Sequence, residues 1–125
     1  MNNLIHLSQR QLRVGEQIRQ IISNCFIKNL IPDSALIDIS ITVSMVKMSK
    51  DLKFAHVYIL PLGGEDAENI KDTLNSNKYY FQKEVGKKIK IKFTPKIIFY
   101  TDDTFKEAEK INNLLLNDKV QKDLK

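Results

Sequence analysis

The chain has 125 residues and a mass of 14.5 kDa, with 42% hydrophobic and 28% charged residues. That suits one folded domain, leaves little room for a second, and is too apolar for wholesale disorder. Twenty Lys and Arg against fifteen Asp and Glu give a formal charge of +5, and a lone Cys25 excludes an internal disulfide and a four-ligand Cys/His zinc set.

No apolar run approaches the ~20 residues of a membrane span. The segment from Met1 to Ser8 lacks the long apolar stretch of a secretory signal. The expectation is a single soluble, cytoplasmic domain without membrane association. Residues 1–7 and 118–125 are expected to be flexible ends around a domain spanning 8–117.

The first period is helical. Val14, Ile18, Ile21, Ile22, Cys25 and Phe26 recur at spacings of three and four, so they share one face. Ser8 is placed to cap this helix, and Pro32-Asp33 stops it. The period then falls to two. Ile37, Ile39, Ile41, Val43 and Met45 alternate with Asp38, Ser40, Thr42 and Ser44, which predicts a half-buried strand. Near Val46 and Met48 the apolar phase shifts, signalling a bulge or the strand's end. Ser49-Lys50-Asp51 reads as a turn into a second strand from Phe54 to Leu60, and the short link implies an antiparallel hairpin.

Pro61-Leu62-Gly63-Gly64 ends that strand, and Glu65 and Asp66 suit the start of a helix carrying Ala67, Ile70 and Leu74. Asn75-Ser76-Asn77 interrupts the helix with three poor helix formers. The helical pattern resumes through Phe81 and Val85. From Lys88 the period is two again: Ile89, Ile91 and Phe93 alternate with Lys88, Lys90 and Lys92, predicting a third strand. Pro95 interrupts it, and it continues from Ile97 to Tyr100. Thr104-Phe105-Lys106-Glu107 fits a capping box, and Phe105, Ala108, Ile111 and Leu115 predict a last helix. The order α-β-β-α-(break)-α-β-α suits an α+β domain with helices on one face of a small mixed sheet.

No catalytic constellation emerges. Cys25 lies in the apolar stripe of the first helix and reads as a small buried hydrophobe. His56 is a lone strand histidine, and Asp102 and Asp103 directly precede a helix, so capping explains them more cheaply than acid/base work or metal binding. Neither Gly-rich phosphate-loop pattern is present. No metal or cofactor is expected.

Charge is more informative. From Lys83 to Lys96 six lysines stand against one acid, Glu84. On a strand, Lys88, Lys90 and Lys92 would project from one face about 6.6 Å apart. Such a row could meet successive phosphates, or simply be a solvated face that deters edge-to-edge aggregation. Lys83 and Lys87 share a face of the preceding helix, and Arg10, Arg13 and Arg19 add charge to the first. Tyr79, Tyr80 and Phe81 could stack on bases, but fit a core cluster better.

In order, these pieces resemble the ribosome-binding factor A family. The likeness rests on Arg10-Gln11-Leu12-Arg13-Val14 with Ile18 and Ile21, and on the hairpin from Ile41 to Tyr58. It rests also on the run from Gly86 to Asp103, and together these span about residues 8–117. Its most specific part is V-x-x-S-x-D-L-x-x-A-x-V-Y, from Val46 to Tyr58, followed by P-x-I-x-F-x-x-D from Pro95.

The resemblance implies a type II KH-like domain that is not an enzyme. It implies a factor that binds the small ribosomal subunit, free or precursor, and assists late maturation and 5′-end processing of its rRNA, chiefly during cold adaptation. It further implies an assembly GTPase acting on the same subunit. Where the family has an Ala-x-Gly kink between two helices, this chain has Asn77-Lys78-Tyr79. Asn77 could supply a turn or a left-handed conformation there. The RNA-binding candidates are Arg10, Arg13, Lys78, Lys83, Lys87, Lys88, Lys90 and Lys92, and the protein is expected to be a monomer. A general single-stranded RNA-binding module and a non-catalytic protein-interaction domain are the alternatives.

Overall fold

The computed structural model describes residues 7–28, 31–33, 36, 39–62 and 66–102. Helix α1 runs Gln9–Lys28. Its start is a reciprocal cap: the Gln11 amide N–H donates to Ser8 Oγ (3.0 Å), and the Ser8 N–H donates to Gln11 Oε1 (2.8 Å). Gln11 Nε2 also donates to the carbonyl of Met48 (3.1 Å), tying this end of the helix to the sheet. Val14, Ile18, Ile21, Ile22 and Cys25 are buried, as their spacing predicts.

Strand β1 (Ile41–Met48) pairs antiparallel with β2 (Phe54–Pro61), and β2 pairs parallel with β3 (Lys96–Thr101), giving the order β1-β2-β3. β1 begins at Ile41, later than the alternation suggested. Ile39 packs against the core outside the ladder, and Ile37 and Asp38 lie outside the described residues. The phase shift is a bulge at Ser44: Val43 faces Ile59 while Met45 faces Tyr58. Ser44 Oγ donates to the Tyr58 carbonyl (3.2 Å), and beyond it the inward positions become Val46 and Met48.

The hairpin turn is held by Asp51, whose Oδ1 accepts from Ser49 Oγ (2.7 Å) and from the Lys53 N–H (3.0 Å). Leu52 completes the turn at φ 62, the left-handed region.

The crossover to β3 is helical. α2 (Ala67–Ser76) is capped by Asp66, whose Oδ1 accepts from the Asn69 N–H (3.2 Å). α3 (Lys78–Lys88) follows after a break at Asn77. Asn77 sits at φ −106 and ψ 15, so the break is a right-handed turn, and the left-handed conformation is not used. Its Nδ2 donates to the carbonyl of Thr73 (2.8 Å) and to Asp33 Oδ2 (2.9 Å), fixing the kink from both sides.

The two helices also cover the outer edge of β3. Asn75 accepts from the Phe99 N–H (2.8 Å) and donates to the Phe99 carbonyl (3.1 Å), while Gln82 Oε1 accepts from the Ile97 N–H (3.0 Å). Ala55, Val57, Ile59, Ile97 and Phe99 face the helices in one core with Leu74, Phe81 and Val85. The elements thus follow the predicted order through β3. The last helix predicted from Thr104 lies outside the described residues.

Candidate nucleic-acid interface

The structure moves part of the lysine row off the sheet. Lys88 is the last residue of α3, and Lys90 and Lys92 lie in the connector before β3. The predicted third strand from Lys88 is therefore corrected. The helical ladder runs on through Gly86 until the Ile89 N–H bonds to the Val85 carbonyl (2.9 Å). Pro95 has no N–H to give a ladder, so pairing starts at Lys96, whose N–H donates to the Lys53 carbonyl (2.8 Å). The alternation of exposure survives without a strand: Ile89 and Ile91 are half-buried while Lys90 and Lys92 are exposed.

The other predicted cations sit on two helices. Arg10 and Arg13 are exposed near the start of α1, and Lys83 and Lys87 are exposed on α3. Lys87 Nζ is 3.4 Å from Glu84, and Arg19 pairs with Glu16 one turn away, so both charges are met locally. Among the described residues, Arg10, Arg13, Lys83, Lys88, Lys90 and Lys92 have no carboxylate within salt-bridge distance. Lys78 opens α3 with its ammonium 5.5 Å from the centre of the Tyr79 ring. It stands ten residues, about 15 Å along the helix, from Lys88. The three kink residues Asn77, Lys78 and Tyr79 are thus separate from the connector cations.

Two recesses show which cations come together. One, of about 210 Å³, is lined by Arg10, Asp51, Leu52, Lys53, Ile91, Lys92 and Phe93, and so joins the start of α1 to the connector and the hairpin turn. Another, of about 220 Å³, sets Lys88 and Ile89 beside Gln17, Gln20, Ile21 and Asn24 of α1.

The sequence pattern did not single out Lys53, Phe54, Phe93 and Lys96. They meet because parallel pairing sets Phe54 opposite Lys96, a long-range register that no local spacing encodes. The aromatic cluster divides: Phe81 is fully buried, whereas Tyr79 is 71% exposed.

The sheet face opposite the helices carries a second arrangement. Phe54, His56 and Tyr58 of β2 and Tyr100 of β3 form a row of rings, with centroid separations of 6.5 Å (Phe54–His56), 5.5 Å (His56–Tyr100) and 5.3 Å (Tyr58–Tyr100). The partner of His56 Nδ1 is the Tyr100 hydroxyl (3.0 Å). Burial, with Tyr100 and Asp102 nearby, pushes the Tyr58 hydroxyl pKa up.

Comparison with known proteins places this architecture. The sequence profile described as "Ribosome-binding factor A" matches residues 10–115. A ribosome-binding factor A of Pelagibacter ubique is 49% identical over 109 residues, covering 87% of this chain and 89% of that protein. One from Bradyrhizobium diazoefficiens is 44% identical over 117 residues, covering 94% and 81%. The crystal structure of ribosome-binding factor A from Thermus thermophilus shares the fold, with a TM-score of 0.59 at 18% identity, covering 73% of this chain and 94% of that one. A further set of Thermus thermophilus coordinates, fitted into a cryo-EM map of a 30S complex, gives a TM-score of 0.59 at 15% identity, covering 74% and 96%. The α+β, KH-like fold and the match over most of the sequence lead to one conclusion: the chain belongs to the ribosome-binding factor A family.

Proposed function

We propose that this protein binds the small ribosomal subunit, free or precursor, through its rRNA, and assists late maturation and 5′-end processing of that RNA. Family membership carries the reading, together with the name of a relative placed in a 30S complex. The exposed cations of the connector and the two neighbouring helices supply the physical means. Lys88, Lys90 and Lys92, with Arg10 and Arg13, neutralise phosphates, and Lys83, Lys87 and Lys78 extend the surface. The mechanism is non-catalytic. A rigid domain that binds one rRNA conformation more tightly than another shifts their populations by that difference in affinity. It acts as a cytoplasmic monomer, its need is greatest in the cold, and an assembly GTPase acts on the same subunit.

Sedimentation of cell extract at low and high salt tests this. Co-migration with free small subunits, lost at high salt, is the expected result. Equal retention on unrelated single-stranded RNA would replace it with a general RNA-binding module. For the charge-reversed pair Lys90→Glu and Lys92→Glu, the salt slope of binding falls by about 0.7–0.9 per lost contact, with circular dichroism unchanged.

A further inference from the structure

At the start of β2 and β3 the surface opens into a cleft of about 340 Å³, lined by Lys53, Phe54, Phe93, Thr94 and Lys96. It lies at the low end of the range of about 300–1,000 Å³ typical of ligand pockets. It shares Lys53 and Phe93 with the recess that holds Arg10, Asp51 and Lys92. Two features set it apart from an ordinary cationic surface. The first is that two phenyl rings are presented to solvent: Phe54 is 37% and Phe93 60% exposed. The second is that each ring has its own ammonium, with Lys96 Nζ 6.0 Å from the Phe54 centroid and Lys92 Nζ 5.5 Å from that of Phe93.

The chemistry of the lining selects an occupant. Two partly exposed phenyl rings in one cleft, rimmed by charged side chains, make the kind of apolar patch that marks an interaction site. Four cations, Arg10, Lys53, Lys92 and Lys96, surround them against one carboxylate, Asp51. That carboxylate is already engaged by Ser49 and the Lys53 N–H. A flat, uncharged ring system carrying an anion on either side fits this pattern. We infer that the cleft receives one unpaired base of an RNA strand, stacked on Phe93, the more exposed of the two rings, with the flanking phosphates on the surrounding lysines and Arg10. Phe93, in the connector, is then a stacking residue for RNA, and Phe54, at the strand start, lines the same cleft. This rests on the RNA-binding reading above and specifies a contact within it.

The test uses the full chain and a uridine hexanucleotide carrying one 2-aminopurine. Stacking quenches that fluorophore, whereas contact with phosphates alone does not. The wild type binds with quenching. Phe93→Ala removes only an exposed ring and leaves every cation in place. It weakens binding about 5- to 100-fold and abolishes quenching, while the salt slope stays the same. Lys96→Gln does the converse, lowering the salt slope by about 0.7 and keeping the quenching.

Three results overturn the inference: wild-type affinity and quenching in Phe93→Ala, no binding of the hexanucleotide by the wild type, or equal competition by a glutamate-rich hexapeptide. Equal competition by uridine monophosphate would overturn the assignment to a strand. Co-sedimentation of the wild type with small subunits is measured alongside, so that loss of the general function is told apart from failure of the cleft.

Discussion

Glycine at position 15 tests how α1 is seated on the sheet. Helix propensity alone favours alanine there by about 1 kcal/mol. The structure opposes it. A Cβ at Gly15 would stand 2.7 Å from the Val46 carbonyl oxygen and 3.6 Å from Met48 Cγ. A carbon ordinarily approaches a carbonyl oxygen to about 3.3 Å, so the backbones must part by about 0.6 Å. That oxygen belongs to a paired strand, so the helix has to lift. A gap of that size forfeits roughly a quarter to a half of the dispersion energy across it. Overpacking of this kind costs about 1–3 kcal/mol. Set against the propensity gain, Gly15→Ala should lose about 1 kcal/mol, with 2 as the upper end.

Gly86→Ala is the control. Its new Cβ meets the Thr94 hydroxyl at 2.9 Å, on an exposed side chain that can turn away, so this variant should be neutral or gain up to about 1 kcal/mol. Urea denaturation followed by far-ultraviolet circular dichroism measures both, and the melting temperatures should separate by about 4 °C per kcal/mol. A Gly15→Ala protein more stable than the wild type, as helix propensity alone would make it, would refute the close seating of α1 on β1.

Asn75→Ala strands the N–H and carbonyl of Phe99 and should destabilise the fold by about 2 kcal/mol in the same titration. The hydrogen bonds from Ser49 and Lys53 hold the Asp51 carboxyl below its usual range. Its support for the turn is therefore complete above about pH 4 and lost as pH falls through the lower folded value. The protection factors of the Lys53 and Phe54 amides, which remove the intrinsic pH dependence of exchange, should fall on acidification in the wild type but not in Asp51→Asn. Burial pushes the Cys25 thiol pKa up and shields it, so a disulfide reagent should react only as the protein unfolds. Prompt labelling of the native protein would contradict that.

Much of this fold could be read from local pattern, because local physics decides it. Ser8 caps α1 because a short hydroxyl suits an orphan amide. Of the three poor helix formers from Asn75, Asn77 alone breaks the helix, while Asn75 and Ser76 stay within α2, and the apolar face resumes at Phe81. The hairpin follows from an alternating run and a mostly apolar run joined by a short turn. What escaped was set at a distance. The alternation of Lys88, Lys90 and Lys92 encodes exposure, which a connector satisfies as well as a strand does. Only the missing N–H of Pro95 and the pairing of Lys96 with the hairpin decide where β3 begins. The cleft at Phe54 and Phe93 was invisible for the same reason. Phe93 looked like a strand residue, and its neighbourhood with Phe54 depends on a parallel register formed across the whole helical crossover.

The two amide side chains along the last strand bear on how molecules of this protein meet one another. A naked strand border invites a neighbour's backbone to extend the ladder, the usual beginning of fibrils and swapped assemblies. Here Asn75 and Gln82 mimic the next strand and occupy the bonds it would make. Growth on that flank would first require displacing them, a barrier that an amide-to-alanine change at either position would lower. At high concentration the sheet is thereby kept at three strands on this side, without recourse to charge.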